Sequence, residues 1–251
     1  MRFLLVLGSL LGVSACTEPV PKPGAPKNCE RKTFENNPYT VCKFAVKTDR
    51  IQLFLKHPDG ALIGDFARLK DELVKDGKQL KFAMNAGMYH QDRRPVGLYV
   101  ENGIKTGRLQ KRASNDNFGL LPNGVLWIDE AEADVSATSD FEKRFDKQIL
   151  PKYVTQSGPM LVIDGKLHKT FKPDSTSLNI RNGVGIDADK SQLYFVISDV
   201  RVNFHTFARF FLDELKTPNA LYLDGSVSKL YSTDLGREDT GTQMGPIVGV
   251  F

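Results

Sequence analysis

Past its first fifteen residues, the sequence has no apolar run long enough to cross a bilayer as a helix. Cysteine is scarce, at three residues, and no Cys-x-x-Cys pair exists, which excludes zinc ribbons and dithiol redox chemistry. The four histidines, His57, His90, His168 and His205, lack any ligand spacing, and His-Glu-x-x-His is absent, so no metal is expected. Asp187-Ala188-Asp189-Lys190-Ser191 opens like a calcium loop. Gln192 and Ser198 then stand where that loop needs Gly and a carboxylate, so the segment reads as a turn. There is no Gly-x-Ser-x-Gly elbow and no Walker loop, and no cofactor is expected. Net charge is only +4, without a long Lys/Arg run or a basic helix with interleaved aromatics, which excludes a nucleic-acid partner. No internal repeat is present.

What is present begins with a leader. Arg2 precedes an apolar run that closes on the small residues Ser14 and Ala15. This is the pattern of a secretory signal over 1–15. Val13-Ser14-Ala15-Cys16 resembles a bacterial lipobox, with cleavage before Cys16 and lipid on that residue. A plain cleaved signal followed by an unrelated cysteine is the other reading. Pro19, Pro21, Pro23 and Pro26 make 16–28 an extended tether that cannot build a core. The expected location is therefore the cell envelope, with the domain held to the membrane through lipid on Cys16. Thr17 follows in place of the Asp of inner-membrane retention, which favours the outer membrane. With Cys16 lipidated, Cys29 and Cys42 remain as an even pair, either disulfide-bonded or as two buried thiols. A disulfide closing a loop of this length is worth on the order of 3 kcal/mol.

Residues 29–251 have the length and apolar content of one domain. Short β-prone runs recur at Leu80–Met84, Val96–Val100, Val125–Ile128, Met160–Ile163, Leu193–Ile197, Leu221–Leu223 and Ile247–Phe251. Asn102-Gly103 and Asp164-Gly165 mark hairpin turns, and Asn123-Gly124 a further turn. Three helices are expected. Phe66, Leu69, Leu73 and Val74 share a face between Asp65 as cap and Gly77 as stop. Ser139–Glu142 forms a capping box before Phe141, Phe145 and Ile149. Phe207, Phe210, Phe211 and Leu215 mark the third, ended by Pro218. Without βαβ alternation, the fold class is α+β: a single domain of mixed β-sheet with many short strands and a few packing helices.

Polar residues gather at the ends of the apolar strands. Asn85-Ala86-Gly87-Met88-Tyr89 offers a carboxamide beside small residues, as a ligand contact or as a tight turn. Ser157 and Gly158 offer a hydroxyl and backbone N–H groups to an anion, or form a strand entry. Arg181, on a strand among small residues, requires either an internal carboxylate or an anionic ligand. Asp224, followed by Gly225, Ser226 and Ser228, is placed for an acid, base or nucleophile, or for an Asx turn. Ser198-Asp199 with Asn203 and His205 is a weaker candidate, read as a helix cap. A serine acyl hydrolase would need a His beside Ser226 or Ser228, and no motif supplies one.

In this order the segments resemble the phosphodiester glycosidase family, over most of residues 40–251. Asn85–Tyr89 corresponds to its Asn-Gly-Gly-aromatic motif, with Ala86 at the first glycine. Arg181–Gly185 corresponds to its Arg-x-x-x-Gly strand. Leu223–Ser228 corresponds to its Leu-Asp-Gly-Gly-Gly-Ser motif, with Ser226 and Val227 at the later glycines. The segments Ala83–Tyr89, Thr155–Val162 and Ala220–Gly225 are closer to a bacterial envelope subgroup. The resemblance implies a sugar–phosphate diester substrate cleaved at the anomeric carbon. Asp224 would act as base or nucleophile, Arg181 would hold the phosphate and Asn85 would orient the substrate. Tyr89, Ser157, Gly158, Gly225 and Ser226 would line the site. A non-catalytic module that binds glycan or anionic polymer is the rival reading.

Overall fold

The computed structural model describes residues 27–145 and 149–251. The leader, Cys16 and the proline-rich segment through Pro26 lie outside the described residues. Three sheets enclose one core. The large sheet runs Cys29–Phe34, Asn37–Ala45, Gln192–Ser198, Asn182–Ile186, Asn219–Asp224, Met160–Ile163 and Lys166–Leu167. The middle sheet runs Arg237–Glu238, Leu230–Ser232, Phe82–Asn85, Ile247–Val250 and Ile51–Phe54. The small sheet runs Ile104–Thr106, Tyr99–Glu101, Tyr153–Ser157, Gly124–Ile128 and Ala133–Ala137. The α+β, single-domain architecture expected from the sequence is the one that forms, with one refinement. Every described strand pairing is antiparallel, so the sheets are not mixed in direction.

Strand alternation sorts side chains between the shared core and three outer faces. Phe44, Phe195, Ile197, Val184, Leu221 and Leu223 point inward from the large sheet. They meet Phe82, Met84 and Val248 of the middle sheet and Leu126, Val135 and Tyr153 of the small one. Each outer face is covered by one helix. Helix α1, Phe66–Lys75, lays Phe66, Leu69 and Leu73 over Ala83 and Ile247 of the middle sheet. Helix α2, Thr138–Phe145, lays Phe141 over Val125, Trp127 and Val154 of the small sheet. Helix α3, Phe204–Arg209, covers the large sheet and widens at once into a π-helical turn, Phe210–Glu214. Gly183 and Gly185 let this segment approach closely: a Cβ at Gly185 would lie 2.8 Å from the Phe211 ring.

Helix α1 is bounded as its sequence dictates. Asp65 accepts the Arg68 N–H at 2.9 Å, and Gly77, at φ +68°, closes a Schellman turn through its own N–H to Val74 O and Lys78 N–H to Leu73 O. Val74, expected on its buried face, is 67% exposed. It sits one position past Leu73 and is carried around the helix to solvent. Helix α2 starts at Thr138, so Ser139 lies inside it, and Ile149 falls beyond it at 95% exposure. Asn102-Gly103 and Asp164-Gly165 turn hairpins, with positive φ at all four residues. The first hairpin instead turns on Glu35-Asn36 and carries a disulfide between the facing residues Cys29 and Cys42. No helix among the described residues is long and apolar enough to cross a membrane.

Candidate active site

The candidate site forms where the ends of two sheets meet. Asn182 and Asp224 are register partners in the large sheet, and Asn85 ends its strand in the middle sheet. Asn85 and Asn182 clasp the two sheets. Each donates its carboxamide to the other's Oδ1, at 3.2 and 2.9 Å, and Asn182 also donates to Asn85 O. Asn85 further donates to Val227 O at 2.6 Å and accepts the Lys229 N–H at 3.1 Å. All four of its hydrogen-bonding positions are thus used internally, and the residue has no exposed surface. The sequence singled out Asn85 but gave no separate role to Asn182. The signal available was a second Asn beside Arg181 on an otherwise apolar strand.

What Asn85 holds is the loop that carries Asp224. Asp224 Oδ1 accepts the N–H groups of Gly225 at 2.6 Å and Ser226 at 2.9 Å, which is an Asx turn. Its second oxygen makes no described hydrogen bond. Burial pushes this carboxyl above the usual aspartate range, opposed by the backbone N–H groups of Ser226, Gly225 and Val227. Turn former and reactive carboxylate are therefore compatible: one oxygen is anchored and the other is left over. Tyr89 lies near it, with its ring against Gly245 and its hydroxyl donating to Gln243 O at 3.3 Å. Burial, then the Asp224 charge, pushes the Tyr89 phenol up to about 12, so it stays protonated.

Arg181 directly precedes the Asn182–Ile186 strand and packs against Phe204 of α3 and Tyr222. It is fully buried and forms no ion pair among the described residues. Nε donates to Val202 O at 2.9 Å, Nη1 to the Tyr222 hydroxyl at 3.2 Å and Nη2 to Ser177 O at 2.8 Å. Its guanidinium carbon lies 3.7 Å from the Phe204 ring centroid. These bonds use three of five N–H donors. Burial lowers the Arg181 pKa, against the favourable Tyr222 phenol. Of the two alternatives open in the sequence, the internal carboxylate is not found among the described residues. The guanidinium is a fixed positive charge with no described carboxylate against it, rather than an exposed clamp. Tyr222 connects it to the Asp224 turn, because its hydroxyl also abuts Gly225.

The remaining sequence candidates separate. Ser157 is buried and its hydroxyl donates to Leu223 O at 2.9 Å, tying the small sheet to the Asp224 strand. Gly158 packs where a Cβ would lie 2.7 Å from Asn123 Cβ, so it serves close packing. The Gly225 and Ser226 amides are turned onto Asp224, while the Ser226 residue itself is exposed. Asn203 caps α3 through the Thr206 N–H at 2.8 Å, as its cap reading anticipates. Among the described residues, no group of three or more His, Cys, Asp or Glu side chains could hold a metal ion.

A family model described as phosphodiester glycosidase matches residues 78–247, more than half of the chain and all the strands that carry this site. The chain belongs to the phosphodiester glycosidase family. Within this family setting, the uncharacterized protein YigE of Escherichia coli (strain K12) is 31% identical over 185 residues, covering 74% of this chain and 70% of its own. Two solved structures share the fold. The zebrafish N-acetylglucosamine-1-phosphodiester alpha-N-acetylglucosaminidase catalytic domain, auto-inhibited by its pro-peptide, superposes with a TM-score of 0.53 at 14% identity, covering 88% of this chain and 81% of that one. A hypothetical protein from Synechocystis gives 0.54 at 13% identity, covering 88% of this chain. The chain spans 61% of that Synechocystis protein's length.

Proposed function

We propose that this chain hydrolyses a sugar–phosphate diester at the anomeric carbon, with Asp224 as the reacting carboxylate. The observation that carries the reading is the half-anchored Asp224, with one oxygen fixed by backbone amides and the other uncommitted. Water adds to the anomeric carbon, the bond from that carbon to the phosphate oxygen breaks, and a free sugar and a phosphate monoester leave. Asp224 either takes the proton of that water or itself adds to the carbon first. Arg181 acts from behind Tyr222, where its unpaired charge favours the phosphate as it gains negative charge. Asn85 and Asn182 are positioning residues that hold the Asp224 loop, and Tyr89 borders the substrate. The zebrafish protein's name describes a sugar phosphodiester substrate, which supports the same class here.

The test is release of reducing sugar from a panel of glycosyl phosphodiesters. Asp224→Asn keeps the carbonyl oxygen that accepts the turn amides, so the fold should stand while turnover drops roughly a hundredfold or more. Wild-type release that persists in the variant would sink the assignment. A second reading, a glycan-binding module, is favoured by the internal commitment of Asn85 and Ser157, which leaves fewer groups for chemistry. Saturable glycan binding with no release from any diester would select it.

The envelope location belongs to the same proposal: a cleaved leader over 1–15, lipid on Cys16 and a tether to residue 28. The Cys29–Cys42 disulfide supports it, because such bonds persist in oxidising compartments. Metabolic labelling with a lipid analogue should mark the wild type and not Cys16→Ser.

A further inference from the structure

A cavity of about 720 Å³ lies away from Asp224, between α1 with the Leu55–Ile63 segment on one side and the Tyr99–Thr106 hairpin on the other. None of the residues assigned above to the candidate site lines it. Part of its wall is apolar, built from Phe54, Leu55, Ile63, Leu73 and Pro95, and Ile104 stands at its lip, 72% exposed. Among the carboxylates that line it, Glu72 and Asp76 are paired, whereas Glu101 has no counter-ion within the described residues. Its Oε2 accepts the Tyr99 hydroxyl at 2.8 Å and the carboxylate also receives the Leu55 N–H, but no cation of the described residues pairs with it. The basic side chains that line the cavity are engaged elsewhere, apart from Lys56. Lys78 pairs with Asp76 at 2.7 Å, Arg94 with Asp92, and His57 with Glu72, while Lys56 is exposed. Burial raises the Glu101 carboxyl to about 7, the signature of a carboxylate kept in apolar surroundings without compensation.

We propose that this cavity binds an organic cation, an ammonium group carried on an apolar body. The ammonium would sit on Glu101 and the body against the Phe54–Leu73 wall. A carboxylate accepts about four hydrogen bonds, and the protein supplies two, so positions remain for an N–H donor. Charge complementarity selects a cation over a neutral donor, because only a cation offsets the desolvated negative charge. The volume falls in the range of small-molecule sites. This site stands independently of the phosphodiester reading.

The full chain, at about pH 8 where Glu101 is ionised, is titrated with naphthylmethylamine and followed by naphthalene fluorescence. Naphthylmethanol, the same body without charge, runs in parallel. One-to-one binding of the amine, at least about tenfold tighter than the alcohol, is expected, with that preference lost in Glu101→Gln. Ile104→Arg, at the exposed lip, should weaken the amine and leave the alcohol unchanged, which keeps the test open if Glu101→Gln folds poorly. Equal affinities, a preference that survives the Glu101 substitution, or no saturable amine binding would overturn the proposal.

Discussion

A methyl group at position 225 has nowhere to go. Built on the backbone, it would overlap the Tyr222 hydroxyl, and Tyr222 is held from its other side by Arg181. Gly225→Ala should therefore displace the phenol, cost about 1–3 kcal/mol in denaturant unfolding and lower turnover together with stability. Glu101 predicts a pH effect of definite sign. Its acid is at 4.5 in the unfolded chain and at about 7 when folded, so the folded state holds more protons between these values. Stability should fall as pH climbs from about 4.5 to about 7, by on the order of 1–3 kcal/mol, and Glu101→Gln should flatten the curve. At this scale the sequence singled out Asp224 and Arg181, because a carboxylate after a buried strand and an arginine among glycines are costly without purpose, but it did not give the neutral oxygens that Arg181 bonds to. The commitment of Asn85 was not, since a carboxamide's partners depend on which strands meet.

Elements were read best where their signals are local. Helix α1 carries its cap and its stop within its own sequence, and Asp65→Ala should cost about 1 kcal/mol in thermal or denaturant unfolding. The Met160–Ile163 strand runs over the residues its pattern predicts. Val96–Val100 does not: pairing begins at Tyr99, because Val96 still bonds back to Met88 and Gly97 is wedged against Gln156 and Phe118. The first hairpin escaped notice because its turn has no glycine and its edge strand is largely polar. The third helix was placed correctly, but its conversion to a π turn and its close approach to Gly183 and Gly185 are not encoded in the spacing of its apolar residues. Across elements, the Asn85–Asn182 clasp predicts strong coupling. Each alanine substitution strands a buried partner at about 1–3 kcal/mol. A double-mutant cycle should show the pair costing clearly less than the sum of the singles.

At the scale of the whole molecule, stability comes from one core shared by three sheets, each sealed outside by a helix. The α+β class was legible from short strands and sparse helices, whereas the three-sheet arrangement was not, because it rests on pairings between distant segments. The disulfide lies at one edge of this assembly, where the Asp234 carboxylate also receives the Asn28 and Cys29 amides. Reduction, or Cys29→Ser with Cys42→Ser, should lower stability by about 2–4 kcal/mol and leave turnover of the folded fraction unchanged.

The Phe82–Asn85 strand takes one of its two neighbours from Ile247–Val250, more than 160 residues further along the chain. A chain made, or threaded through a membrane, from its amino end can close the Cys29–Cys42 hairpin early. It cannot complete the sheet under Asn85 until Val250 has emerged. The Asp224 loop, which leans on Asn85, is therefore among the last parts to take shape, and a nascent chain carries the residues of the site well before it carries the site.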